Sequence, residues 1–155
     1  MEIMSVFLIG FFSCVLLFLI SWSSDIEIPF GINGNLGAES PSNWIMEDDI
    51  VIKDDSIVLK ISGASISRYS KTGSMKPVLD YETNGVRIKP DNVDQIQKGD
   101  IVTFRHEGLL VVHRVIFRGE DSFGAYFITR GDNNDFDDGR IRFEDIEWVT
   151  IALLY

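Results

Sequence analysis

The sequence predicts a mostly β domain that is tethered by one N-terminal transmembrane helix. Residues 3–22 contain no charged side chain, and the second half of the chain contains short segments rich in β-branched and aromatic residues, bounded by Gly, Asp or Asn. Outside the apolar run, no window of about twelve residues shows a clean 3.6-residue apolar period. The rest of the chain is therefore expected to form strands rather than long helices.

The apolar run has the length of a membrane-spanning helix. At about 1.5 Å per residue it reaches about 30 Å, which is the thickness of a bilayer's hydrocarbon core. A cleavable signal peptide is the alternative, because residues 21–24 ("SWSS") offer small residues near a possible cut. The run exceeds the usual signal-peptide core, however, and no Lys or Arg precedes it. Residues 1–22 are therefore interpreted as a retained anchor.

An anchor of this kind predicts a single-pass protein of the cell membrane. The first Lys is Lys53, so the positive-inside rule has no nearby charge to count. The very short segment before the run favours an arrangement with the domain on the extracytoplasmic side.

Composition narrows the possible functions. The formal net charge of −10 argues against nucleic-acid binding, which needs a basic face. The one cysteine, Cys14, lies inside the apolar run, so no disulfide framework is expected. With only two histidines, no credible zinc cluster can be drawn. We expect neither a metal nor a cofactor.

After the anchor, residues 23–48 are rich in Gly, Ser, Asn and Pro, which predicts a linker. Residues 49–155 are expected to form the β-rich domain. It begins with "DIVIKDDSIVLKIS", which alternates apolar and polar residues on both sides of an Asp-Asp turn and predicts a hairpin. Further strands are expected at "GVRIKP", "DIVTFR", "LLVVHRVIF" and "GAYFITR". The final "WVTIALLY" is too short to span a bilayer and is interpreted as a closing strand.

Two histidines are candidates for chemistry. His106 falls in an apparent turn, where it is expected to face water. His113 lies in the middle of an apolar strand, where a period of two places it with Val111 and Val115 and opposite Arg114. From this pattern alone, His113 is either a buried core histidine or a catalytic base.

A run of acidic residues follows the "GAYFITR" strand. The segment "TRGDNNDFDDGR", residues 129–140, is typical of a turn, because Asp, Asn and Gly bend the chain by bonding to their own backbone. A calcium loop is the other interpretation. The segment lacks the glycine and the glutamate that an EF-hand loop needs.

Taken together and in order, four segments resemble the box motifs of signal peptidase I: "TGSMKPVLD", "KGDIVTFR", "LLVVHRVI" and "ITRGDNNDFDD". The likeness is to the archaeal and endoplasmic-reticulum branch, which has histidine where the bacterial branch has lysine. It implies that Ser74 is the nucleophile and His113 the general base. Asp132 and Asp138 fall at the positions of the family's two functional acids, and Asp138 is expected to orient the imidazole.

The resemblance also assigns an oxyanion hole to the Ser74 amide and the Thr72 hydroxyl. Gly73 would allow the tight turn that presents Ser74. A serine hydroxyl needs a neighbouring base, and a neutral imidazole supported by a carboxylate can supply it. Lys76, two residues after Ser74, is an alternative base.

The implied fold is a signal-peptidase-like β domain, and the implied function is that of a membrane-anchored serine endopeptidase that removes signal peptides from exported preproteins. The expected partners are these signal peptides, the lipid membrane and the protein-export translocon, and no nucleic acid. Two alternatives are kept. One is a peptidase dedicated to a single precursor, and the other is a non-catalytic anchored β module that binds exported chains or partners.

Overall fold

The computed structural model describes residues 39–155, and strands dominate this part of the chain, which confirms the mostly β prediction. The predicted anchor, residues 1–22, and most of the predicted linker lie outside the described residues. None of the helices within residues 39–155 has the length and apolar character needed to cross a membrane. The strands are β1 (Ile50–Ile52), β2 (Ile57–Leu59), β3 (Ser65–Arg68), β4 (Asn84–Ile88), β5 (Ile101–His106), β6 (Leu109–Asp121), β7 (Gly124–Arg130), β8 (Arg140–Ile141) and β9 (Ile146–Leu154).

The first two strands form the predicted hairpin. Ile50 pairs with Leu59 and Ile52 with Ile57, so the chain turns at residues 53–56, which contain the two aspartates. The hairpin is a separate two-stranded sheet. Short 3-10 helices occur at Glu47–Asp49, Val93–Gln95 and Phe143–Asp145.

The other strands form a seven-stranded sheet in the order β3-β4-β9-β5-β6-β7-β8. Each pair of neighbours is antiparallel, and the predicted strand segments from "GVRIKP" to "WVTIALLY" all lie in this sheet. The closing strand β9 is inserted between β4 and β5, which are themselves separated by about a dozen residues of chain. The centre of the sheet is therefore formed by strands that are distant in sequence.

The core lies on both faces of the sheet. Residues directly opposite in an antiparallel pair share a face, and His113 lies opposite Val102, while Arg114 lies opposite Ile101. Val102 belongs to the larger buried cluster, together with Val115 and Phe104, and Ile101 belongs to a smaller cluster. Consecutive residues of β6 therefore serve opposite faces, as the period of two predicts.

Candidate functional site

The turn that carries Ser74 is packed against the smaller cluster. Met75 and Leu79 are almost fully buried and contact Ile101. Gly73 has a φ of 73°, in the left-handed region that favours glycine, and reverses the chain just before Ser74. Burial of the Met75 side chain thus fixes the turn, and its neighbour Ser74 is left half-buried at the surface of this cluster.

The loop after β7 holds this turn in place through the backbone. The Asn133 amide donates to the Ser74 carbonyl oxygen at 2.8 Å, and the Asn133 side chain donates to the Gly73 carbonyl oxygen at 3.1 Å. Gly131 packs so closely that a Cβ at this position would lie 2.6 Å from the Ser74 carbonyl oxygen. The Ser74 turn and the loop of residues 131–134 therefore form one packed unit.

His113 is hydrogen-bonded to Asp138, which lies further along the loop after β7. Its Nδ1 lies 2.7 Å from Asp138 Oδ2, and the Thr129 hydroxyl donates to the same oxygen at 2.8 Å. His113 is buried, and its imidazole lies beside the Phe104 ring, with the ring centroids 6.4 Å apart. A carboxylate accepts hydrogen bonds, so the Nδ1 proton faces Asp138 and Nε2 is left as the proton acceptor. In the part of the chain that the structure describes, Nε2 has no hydrogen-bond partner.

Arg114 makes the corresponding contact on the opposite face. Its Nε and Nη2 donate to the two carboxylate oxygens of Asp132, each at 2.7 Å. Its Nη1 donates to the carbonyl oxygens of Glu39 and Gly99. The two aspartates of the acidic loop thus have different partners: Asp138 contacts the histidine and Asp132 contacts the arginine.

The hydroxyl of Ser74 is directed toward Thr72. The two side-chain oxygens are 3.1 Å apart, and the Ser74 amide donates a long hydrogen bond of 3.4 Å to Thr72 Oγ1. No hydrogen bond joins Ser74 and His113 among residues 39–155. The structure therefore brings together Ser74 with Thr72 and His113 with Asp138, and the loop after β7 contacts both pairs.

Lys76 and His106 lie outside this arrangement. The Lys76 ammonium is 3.0 Å from Asp80, and its side chain is 56% exposed. The hydrogen bond from Lys76 lowers the pKa of the Asp80 carboxyl. His106 is exposed at the end of β5. Of the candidate bases, His113 is the one that combines a carboxylate partner with a ring nitrogen that bonds to none of the described residues.

Three residues of this region were missed by sequence reasoning. Thr129 supports Asp138, Asn133 holds the Ser74 turn, and Asp100 is a fully buried carboxylate at the start of β5. Thr129 carried a usable signal, because it follows Phe127 by two residues and so falls on the same buried face of β7. Asn133 and Asp100 look like ordinary turn residues in the sequence.

A calcium site in the acidic loop would need the loop's carboxylates as ligands. Asp132 and Asp138 are both engaged by basic side chains, and Asp137 accepts the Gly139 amide. Within residues 39–155, no group of three or more His, Cys, Asp or Glu side chains is arranged to hold a metal ion.

The chain is similar to the signal peptidase complex catalytic subunit SEC11C of Homo sapiens, Mus musculus and Canis lupus familiaris. In each comparison 35% of residues are identical over 81 residues, which is 50% of this chain and 42% of the relative. The match thus spans less than half the length of these curated relatives. It supports a relation to signal peptidase I-like proteins. No family model matches the chain, and no solved structure matches it significantly.

Proposed function

We propose that this protein is a membrane-anchored serine endopeptidase that removes signal peptides from exported preproteins. The observation that carries the proposal is the hydrogen bond between His113 Nδ1 and Asp138, because Nε2 then bonds to none of the described residues. The loop that contains Asp138 also holds the Ser74 turn. The similarity to signal peptidase catalytic subunits supports the same reaction.

In the proposed reaction, substrate binding turns the Ser74 hydroxyl from Thr72 toward His113. Nε2 takes the hydroxyl proton while Ser74 Oγ bonds to the carbonyl carbon of the scissile peptide. The imidazolium that forms is stabilised by the Asp138 carboxylate. The peptide C–N bond then breaks, and His113 returns the proton to the leaving amine. Water, deprotonated by the same imidazole, hydrolyses the ester at Ser74.

The Ser74 amide and the Thr72 hydroxyl are the proposed oxyanion donors. The Ser74 amide donates to Thr72 Oγ1 at 3.4 Å, a weak contact that an oxyanion can replace. Loss of one such donor typically costs about 2.7 to 4 kcal/mol of barrier.

The edge strand β3 is the proposed docking position for the substrate backbone. Among residues 39–155 it pairs only with β4, at one edge of the seven-stranded sheet, and in sequence it ends shortly before the Ser74 turn. An extended chain can add to such an edge by main-chain hydrogen bonds. The resemblance further suggests a preference for small residues at the first and third positions before the cut.

The cellular setting belongs to the same proposal. Residues 1–22 would anchor the chain in the cell membrane as a single span, with the catalytic domain on the extracytoplasmic side. Substrates would then be membrane-inserted preproteins delivered by the export translocon.

The test is cleavage of a model preprotein in liposomes by the wild type beside Ser74→Ala, with the new N-termini of the products sequenced. We expect cleavage after a small residue that is lost in Ser74→Ala. Ser70→Ala is a matched control, because Ser70 is an exposed serine of the same segment, and it should cleave like the wild type.

Other outcomes separate the alternatives. Cleavage of one precursor from a panel of unrelated ones would indicate a dedicated peptidase. Full cleavage by Ser74→Ala, or no cleavage and no acylation of Ser74 in folded wild type, would rule out the proposed chemistry and favour a binding module.

A further inference from the structure

Asp100 is a carboxylate in the interior that the proposed reaction does not use. It is 0% exposed, and both oxygens accept hydrogen bonds from neutral donors. Oδ1 accepts from the Ser42 amide at 2.7 Å and from Trp44 Nε1 at 3.3 Å, while Oδ2 accepts from the Gln97 amide at 2.9 Å. A buried carboxylate that is bonded in this way fixes the groups around it.

Two of these donors belong to residues 39–44, which we call the strap. The strap lies over the start of β5: Gly99 has a φ of 101°, and a Cβ there would overlap the Ser40 carbonyl oxygen. The Trp44 ring packs against the larger buried cluster. Lys98 adds an exposed ion pair with Glu39 at 2.7 Å.

The strap also contacts the residue next to His113. The Arg114 Nη1 donates to the Glu39 carbonyl oxygen at 3.0 Å and to the Gly99 carbonyl oxygen at 2.9 Å. The other side of the guanidinium holds Asp132, whose neighbour Asn133 binds the Ser74 carbonyl oxygen. A continuous series of contacts therefore runs from Asp100 through the strap and Arg114 to the Ser74 turn.

The geometry points to Asp100 as a positioning residue of the Ser74–His113 site. By clamping the strap, it fixes one side of the Arg114 guanidinium, and Arg114 in turn fixes the distance between β6 and the loop of residues 131–134. This inference rests on the proposed function for its catalytic consequence. The clamp itself concerns only described contacts and can be tested without catalysis.

Asp100→Asn is the informative variant. It keeps the size of the side chain, but an amide has one acceptor oxygen, so its NH₂ must face at least one of the three donors. Trp44→Phe is a milder second variant that removes one of the donors and keeps an aromatic ring. Lys98→Met is the matched control, because it removes only the exposed contact between strap and domain.

Two readouts are measured on the full chain: kcat and KM for a preprotein substrate, and amide hydrogen exchange by mass spectrometry. We expect Asp100→Asn to lower kcat by about tenfold or more, with KM changed by less than about threefold. Exchange should accelerate in residues 39–44 and in residues 131–134, but not in β9. Trp44→Phe should change kcat and the exchange rates of these residues in the same direction but by less, and Lys98→Met should change neither.

Faster exchange confined to the strap, with kcat unchanged, would overturn the inference. Faster exchange throughout, β9 included, would also overturn it, because that is general destabilisation. If Asp100→Asn does not fold, Trp44→Phe decides between the same outcomes. If folded wild type cleaves nothing, the proposed function fails, and exchange at residues 131–134 still decides whether Asp100 positions the Ser74 turn.

Discussion

His113 and Arg114 are neighbours on β6, and each is bonded to one aspartate of the same acidic loop, yet the two pairs differ in kind. The Arg114–Asp132 pair is closed: its side chains are 5% and 7% exposed, and all of the guanidinium nitrogens donate hydrogen bonds. The His113–Asp138 pair is more open, at 9% and 17%, and the second ring nitrogen of His113 has no hydrogen-bond partner among residues 39–155.

The difference separates structure from chemistry. The buried Arg114–Asp132 pair holds β6 to the loop after β7, and removing one partner of such a pair destabilises the fold. A histidine with one nitrogen bonded to a carboxylate and the other free can accept a proton. We therefore expect substitutions at the first pair to lower the free energy of unfolding and to loosen the loop that holds Ser74, and those at the second to lower the rate of cleavage while the fold is retained.

The largest effect is expected for Asp138→Asn. The asparagine oxygen can take the position of Oδ2 and keep both hydrogen bonds, from His113 and from Thr129, so the fold should be retained. The negative charge that stabilises the imidazolium is lost. We expect kcat/KM to fall by roughly 10²- to 10⁴-fold, measured with a preprotein substrate.

Asp135→Asn is the control for this variant, because Asp135 is an exposed residue of the same loop and the substitution removes the same charge. It should leave kcat/KM unchanged. Wild-type activity in folded Asp138→Asn would contradict the role given to this aspartate and would make the two pairs equivalent.

The second-largest effect is expected for Arg114→Met, on the free energy of unfolding. It leaves the Asp132 carboxylate buried without its partner, and breaking a buried pair typically costs about 3 to 5 kcal/mol of unfolding free energy. Urea unfolding, with the m-value held constant, measures this loss. The double variant Arg114→Met/Asp132→Leu should recover much of it, because no unpaired charge then remains.

The exposed pair of Arg105 and Glu147 provides the reference. Its side chains are 59% and 29% exposed, so Arg105→Met should cost less than about 1 kcal/mol. Equal losses in Arg114→Met and Arg105→Met would show that burial of the first pair carries no extra stability.

Local patterns in the sequence were sufficient to predict the strands but not their order in the sheet. The alternation in "DIVIKDDSIVLKIS" and in the strand of His113 is a property of neighbouring residues, and the structure agrees with both. The position of β9 between β4 and β5 depends on contacts between residues that are far apart in sequence. No periodicity encodes such an order. The two-residue strand β8 is too short to show any period.

The same limit applies to the site. A period of two places His113 and Arg114 on opposite faces, but the path of the loop decides which aspartate reaches which face. The sequence offered both Asp132 and Asp138, and the preference for Asp138 came from the resemblance. Asp100 could not have been recognised, because its donors at residues 42 and 44 lie more than 50 residues away.

The smallest effect concerns a third pair, Asp121 with Arg142, at the far end of β6. The hydrogen bond from Arg142 lowers the pKa of the Asp121 carboxyl below its usual range. The Asp121 carboxyl therefore binds a proton less readily in the folded state than in the unfolded chain. The pair contributes stability above about pH 4, and this contribution is lost as the pH falls through the lower folded pKa. Asp121→Asn should unfold at a lower urea midpoint than wild type at pH 7, and the gap should narrow toward pH 3. Asp94→Asn, at an 84% exposed carboxylate bonded to Arg118, should show a smaller gap at pH 7. A gap for Asp121→Asn that stays constant with pH would mean that this pair contributes through packing rather than through charge. Failure of the Arg114→Met/Asp132→Leu variant to recover stability would mean the same for the buried pair.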